Sequence, residues 1–303
     1  MSHERVPPFD KSDGGKILIF MNNIISIEKK SYAKINLYLK ILGRRADNYH
    51  DMFTIMHTAD IFDVVRVNIA AGEFIPPPQI YISCDDKSVP VDERNTAHKA
   101  ARAYFKYASG FINIADCEIN RVTIDIKKRI PAQAGLGGGS SNAASVLLAL
   151  NEYFNNLLPE DILLTIAAEI GADVAFFVSM HNGGTAVCEG IGEIVTPLRT
   201  KINLRDYKID IIKPDCNIST KEAFERFDST NADISCFDRD YIINIFETGT
   251  IEDIAEIMHN DFEEVIAPIH SDINEAKAEL MSRGAIAAQL SGSGSAVFGI
   301  FGR

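Results

Sequence analysis

The clearest period in the chain is the alternation in Ala33-Lys34-Ile35-Asn36-Leu37-Tyr38-Leu39-Lys40-Ile41. It sets Ile35, Leu37, Leu39 and Ile41 on one face of a half-buried strand and Lys34, Asn36 and Tyr38 on the other. A polar turn follows over Gly43 to His50. Phe62 to Ile69 predicts a second strand, after which Pro76-Pro77-Pro78 breaks the chain. Thr96 to Tyr107 reads as a helix with one apolar side, Val122 to Ile126 as a strand, and Ser140 to Phe154 as a helix. Pro159 suits a first helical turn, so another helix runs from there to about Ile170. Gly171 is a helix stop. Beyond it a lone acid, Asp173, precedes an apolar run to Val178 that reads as a strand. Gly-rich turns at Gly183-Gly184 and Glu189 to Glu193 close this half. Loop character rises between Thr196 and Arg205, where a domain boundary is expected.

The second half opens with a strand over Tyr207 to Ile212, ended by Pro214. Helices are predicted at Thr220–Arg226, Tyr241–Glu247, Ile251–Ile257 and Ile273–Arg283, the last stopped by Gly284. Two strands, Ala285 to Leu290 and Ala296 to Phe301, flank a Ser291-Gly292-Ser293-Gly294 turn. Interleaved strands and helices place the chain in the α+β or α/β class. Its 303 residues suffice for two domains, here 23–200 and 205–303, with residues 1–22 a polar N-terminal extension.

A net charge of −12 argues against a nucleic-acid surface and requires any anionic ligand to be held locally. Cys84, Cys117, Cys188, Cys216 and Cys236 are scattered without a C-x-x-C pair, which suggests reduced thiols in the cytoplasm rather than a disulfide frame or a zinc site. His50 and His57 lack metal-motif company. No apolar run is long enough to span a bilayer, and Ile17 to Ile25 does not read as a signal peptide, so no membrane partner is expected.

The strongest chemical signal is Pro131-Ala132-Gln133-Ala134-Gly135-Leu136-Gly137-Gly138-Gly139-Ser140-Ser141, which runs into a helical stretch. A bare backbone that curls and opens a helix can aim its N–H groups at phosphate, aided by the helix dipole. The dinucleotide fingerprint fails because its third glycine position is Ser140. The P-loop fails because no lysine follows the glycines. The protein-kinase set fails because neither H-R-D nor D-F-G occurs.

This loop and the Ser-Gly-Ser-Gly-Ser-Ala run at 291–296 resemble the phosphate-binding and C-terminal glycine motifs of the GHMP kinase superfamily. Four further segments resemble, within it, the family of kinases acting on 4-diphosphocytidyl-2-C-methyl-D-erythritol. They are Ala33 to Leu37, Gly43 to Asp51, Gly171 to Val174 and Pro214 to Phe224. The similarity runs from about Lys30 to Phe301. It implies an α+β, two-domain fold with an N-terminal domain like ribosomal protein S5 domain 2 and a ferredoxin-like C-terminal domain, the active site lying between them. It also implies an enzyme that uses ATP to phosphorylate the 2-hydroxyl of a cytidine diphosphate-linked methylerythritol, on the route to isoprenoids. Two departures stand out. Asn48 replaces the usual glycine, and asparagine can keep a left-handed turn. The chain also stops at Arg303, where relatives continue with another helix and strand, so a shortened C-terminal domain is expected.

The resemblance assigns roles residue by residue. Asp173 becomes the candidate base, and Lys34 the cation that keeps it ionised and steadies charge on the attacking oxygen. The loop from Pro131 to Ser141 would bind the ATP phosphates, with Mg²⁺ an expected companion for which the Ser141 hydroxyl is a candidate ligand. Asn95 and Lys128 would reach the nucleoside end of ATP; read alone they are a helix cap and a surface charge. Tyr49, His50 and Phe224 would stack on and read the cytosine, and Asn36 would meet the methylerythritol or phosphate portion. A homoserine or mevalonate type of kinase in the same superfamily, or a nucleotide-binding module without turnover, are the alternatives.

Overall fold

A computed structural model describes residues 24–72, 78–230 and 237–302. The extension expected at 1–22, Pro76 and Pro77 of the proline break, and Cys236 lie outside the described residues. In chain order the first half contains β1 (Ile24–Arg44), β2 (His50–Ala71), β3 (Gln79–Cys84), α1 (Thr96–Ala108), β4 (Ile119–Lys127), α2 (Gly138–Tyr153), α3 (Glu160–Ile170), α4 (Ala172–Ser179), β5 (Thr185–Gly190) and β6 (Ile194–Leu198). The second half adds β7 (Lys208–Ile212), α5 (Thr220–Ser229), α6 (Arg239–Thr248), α7 (Ile251–Ile257), β8 (His259–Asn260), α8 (Asp261–Ile266), α9 (Ser271–Ser282), β9 (Ala287–Leu290) and β10 (Val297–Phe301).

Two sheets organise these elements. The larger runs β3-β4-β2-β1-β8, with β5 on β2 and β6 on β5. The smaller runs β7-β10-β9 and is antiparallel throughout. Helices α1 to α4 and the large sheet enclose one core, in which Tyr104, Leu147 and Phe176 meet Val67 and Ile124. A second core joins Ile35, Leu37, Phe53 and Ile55 of β1 and β2 to Ile242, Phe246, Ile254 and Phe298 of the second half. β1 is therefore covered on both faces. Lys34, Asn36 and Tyr38, expected on an open face, are all buried. A one-residue bulge between Asn36 and Tyr38 also breaks the alternation, so Tyr38 joins the apolar cluster of Ile35 and Leu37.

The run after Asp173 is a helix, not a strand. Every residue from Val174 to Val178 is buried, and a fully apolar segment shows no period that would separate a buried helix from a buried strand. The short elements β3, β6, β8 and α8 were not expected from the pattern, and the stretch read as Gly-rich turns holds strand β5, paired along β2. Asn48 does adopt the left-handed conformation, at φ 68°. Among the described residues no helix is long and apolar enough to cross a membrane.

Candidate active site

The glycine loop leaves β4, curls, and opens α2. Gly137 is the N-cap residue at φ 69°, and no side chain caps the helix. The first backbone N–H groups of α2 are thus available to an outside acceptor. Beneath them lies a buried polar frame. The fully buried Asp63 carboxylate accepts from Arg129 N (2.7 Å), Ile130 N (2.8 Å), Asn142 Nδ2 (2.9 Å) and the Lys128 ammonium. These bonds fix the approach to the loop and the first turn of α2 against β2. Asn142 also donates to Ser31 Oγ, and Ser31 Oγ donates to Ser141 Oγ at 2.8 Å.

The second glycine motif closes over the first. Ser291 Oγ donates to Gly135 O (3.1 Å) and Ala296 N to Ala134 O (3.1 Å). A Cβ on Gly135 would sit 2.0 Å from the Ser291 carbonyl, and one on Gly292 would sit 3.0 Å from Lys34 Nζ. Backbone occupies the space a side chain would need at Gly135, and Gly292 holds a left-handed conformation at φ 55° that favours glycine.

Lys34 emerges from β1 alongside this loop, its backbone N–H donating to Leu136 O at 3.0 Å. Its Nζ donates to Asn36 Oδ1 (2.6 Å) and lies 3.9 Å from Asp173 Oδ2. Asn36 in turn donates to Thr54 Oγ1 at 2.8 Å, so its amide is fully oriented. Burial pushes the Lys34 ammonium below its ordinary pKa, while the nearby Asp173 and the Cys188 sulfur pull it back up. The Cys188 thiol, buried in β5 beside the pair, is pushed well up, first by burial and then by Asp173. Asp173 stands in the first turn of α4 with its side chain 31% exposed, the one carboxylate of the pair open to a substrate.

At the start of β2, His50 lies flat on Phe224 of α5, centroids 4.4 Å apart and 12° from parallel. Phe262 braces Phe224 edge-on at 4.9 Å. At that separation no third ring fits between His50 and Phe224. Tyr49, 60% exposed on the preceding turn, is the free ring.

Three assigned side chains are engaged within the protein. Asn95 caps α1 through Ala97 N and donates to Pro90 O at 2.6 Å. Lys128 is spent on Asp63, and the buried Ser141 hydroxyl on Ser31. Reasoning from sequence missed Asp63, Thr54 and Asp228, which hold other site residues. Only their positions on strands and helices beside the motifs gave any signal. It also missed His259, Asp261 and Glu264, whose ligand atoms lie within 4.8 Å of one another. Asp261 there already accepts from Ile41 N (2.6 Å) and His259 Nε2 (2.6 Å) and pairs with Lys40 (3.1 Å), which makes the group an ion-pair lock rather than a metal centre.

Known proteins resemble this chain in family and in fold. The model of the GHMP kinases N terminal domain matches residues 95–181, and that of the GHMP kinases C terminal domain matches 242–303. A 4-diphosphocytidyl-2-C-methyl-D-erythritol kinase of Clostridium perfringens is 38% identical over 91% of this chain and 88% of its own. One of Desulfotalea psychrophila is 36% identical over 91% and 86%. A crystal structure of 4-(cytidine 5'-diphospho)-2C-methyl-D-erythritol kinase superposes with TM-score 0.67, 26% identity and 90% coverage of each chain. Homoserine kinase from Cytophaga hutchinsonii, at 18% identity and TM-score 0.65 over 94% of this chain and 87% of its own, shares the fold.

Proposed function

Because this chain belongs to the GHMP kinases, on the branch of the 4-diphosphocytidyl-2-C-methyl-D-erythritol kinases, we propose that it phosphorylates the 2-hydroxyl of that compound with ATP. The observation that carries the chemistry is the Lys34–Asp173 pair, 3.9 Å apart beside the uncapped start of α2. Phosphoryl transfer asks a protein mainly for positioning and charge neutralisation. The amides of the glycine loop and of the first turn of α2 hold the phosphates. Asp173 takes the proton of the acceptor hydroxyl, and Lys34 stabilises the oxygen as it attacks. Asn36 accepts from the Lys34 ammonium and keeps it aimed at the cleft.

Mg²⁺ enters this reading as the counter-ion of ATP, where it offsets phosphate charge. Ser141 does not fit as its ligand, because that hydroxyl is buried and bonded to Ser31. Asn95 and Lys128 serve the donor site by fixing its walls rather than by touching the nucleoside. Tyr49 supplies the face on which cytosine stacks, and the His50–Phe224 pair the wall against which it lies. In domain terms, residues 23–200 carry the donor site, and 205–303 close the cleft through α5 and the Ser291–Ala296 turn. The reduced state of Cys84, Cys117, Cys188 and Cys216 suits a cytoplasmic enzyme.

A coupled assay of ADP release tests the proposal. Release is expected with the diphosphocytidyl acceptor and not with homoserine or mevalonate, neither of which has a base to stack. Release with either of those but not with the cytidyl compound would overturn it.

A further inference from the structure

Lys34 is aimed by a chain of hydrogen bonds that passes behind it into β2. Its ammonium donates to Asn36 Oδ1 at 2.6 Å, and Asn36 Nδ2 donates to Thr54 Oγ1 at 2.8 Å. Thr54 Oγ1 in turn donates to Tyr38 O at 2.7 Å. All these side chains are buried, those of Asn36 and Thr54 completely. The direction of the chain is forced. A hydroxyl has one proton, and Thr54 places it on a backbone carbonyl, which only accepts. Thr54 therefore meets Asn36 as an acceptor alone. That turns the amide nitrogen of Asn36 toward β2 and its oxygen toward Lys34. The bulge in β1 has a second anchor, because Gln289 of β9 donates to Asn36 O at 3.1 Å.

We infer that Thr54 is a positioning residue for Lys34, acting through the orientation of the Asn36 amide. Without the hydroxyl the amide can turn over and present Nδ2, a donor, to an ammonium that only donates. A buried ammonium deprived of its acceptor gives up its proton more readily. Burial already pushes the Lys34 pKa down, and the groups that oppose this are Asp173 of α4 and Cys188 of β5. The turns at Gly137 and Gly292, which also pack on Lys34, bring no side chain. Among the described residues, Asn36 is the acceptor that receives a hydrogen bond from the ammonium. The inference rests on the phosphoryl-transfer reading above and extends it to a residue behind the Lys34–Asp173 pair.

The test is Thr54→Val, which keeps the shape of the side chain and deletes the hydroxyl. The kcat should fall about tenfold while the KM for ATP stays within about twofold, and Thr54→Ser should restore most of the loss. The alkaline limb of the kcat profile should move down by about one pH unit, because the ammonium is surrendered earlier. In a double-mutant cycle, Thr54→Val should cost nothing further in kcat once Asn36→Ala is present. Independently of turnover, ¹⁵N spectra of lysine-labelled protein should show Lys34 titrating lower in Thr54→Val than in the wild type. If valine prevents folding, Thr54→Ala enters the same cycle, since it removes the hydroxyl without adding a methyl. Additive losses, or a folded variant in which neither the alkaline limb nor the Lys34 titration moves, would overturn the inference. A wild-type enzyme that does not turn over the diphosphocytidyl acceptor defeats the functional reading instead, and the ¹⁵N titration then judges the role of Thr54 alone.

Discussion

On the proposed reading, the donor and acceptor ends of the site are built on opposite plans. At the donor end the ligand-facing groups are backbone N–H, and side chains such as Asp63, Asn142 and Lys128 are buried behind them as a frame. At the acceptor end the ligand-facing groups are side chains, contributed by both halves of the molecule, and one of them, Tyr49, stands on an exposed turn. A phosphate chain is the same in every ATP, so a rigid backbone cradle suffices and tolerates no substitution. An acceptor differs from kinase to kinase, and side chains are what can be exchanged without rebuilding the fold.

The largest effect should come where the two ends meet. Asp173→Asn is expected to lower kcat about a thousandfold while ATP binding, measured at equilibrium, stays near wild type. Turnover close to wild type would remove Asp173 as the base. Next is the donor frame. Gly135 has φ 73° and no room for a Cβ, whereas Gly284 has φ 92° and open space around it. Gly284→Ala should cost only the conformational penalty, about 1–2 kcal/mol of stability. Gly135→Ala should cost more and also raise the KM for ATP; equal losses in denaturant titrations would mean the Ser291 carbonyl yields freely.

Acid sharpens the comparison by acting on neither end. His57, buried within β2, has its pKa lowered from 6.5 to about 4, first by burial and then by Arg205. Below pH 6.5 the unfolded chain binds a proton that the native one refuses, so stability falls as pH drops from 6.5 toward 4, by about 2 kcal/mol at pH 5. His57→Gln should flatten that slope in urea midpoints while leaving both KM values at pH 7 nearly unchanged. The smallest effect belongs to the acceptor wall. Tyr49→Ala should raise the acceptor KM about tenfold and leave that of ATP alone, and an unchanged acceptor KM would reject stacking there.

Much of this was legible from the residues. The strand carrying Lys34, the curl before α2, the stop at Gly284 and the left-handed turn at Asn48 each follow from a local rule with a local cause. What escaped was decided by contacts distant in sequence. Tyr38 changed company because of a bulge whose only record is its register against β2. Val174 to Val178 is helical because α2 and α3 lie beside it, which its uniform apolarity could not announce. Asn95 and Lys128 sit beside the donor loop as the motif suggested, yet their polar atoms face Ala97, Pro90 and Asp63. A motif marks a neighbourhood; which way a side chain turns within it depends on partners dozens of residues away.

The two-residue strand β8 has a mechanical consequence. It lays His259 and Asn260 of the second half alongside Tyr38 and Leu39 of β1, while Asn260 Nδ2 grips Leu290 O (2.8 Å) and Gly292 O (2.9 Å). The strand that bears Lys34 is thus riveted to the turn that roofs the glycine loop. Losing the Asn260 amide would therefore loosen the Lys34 strand and that roof together.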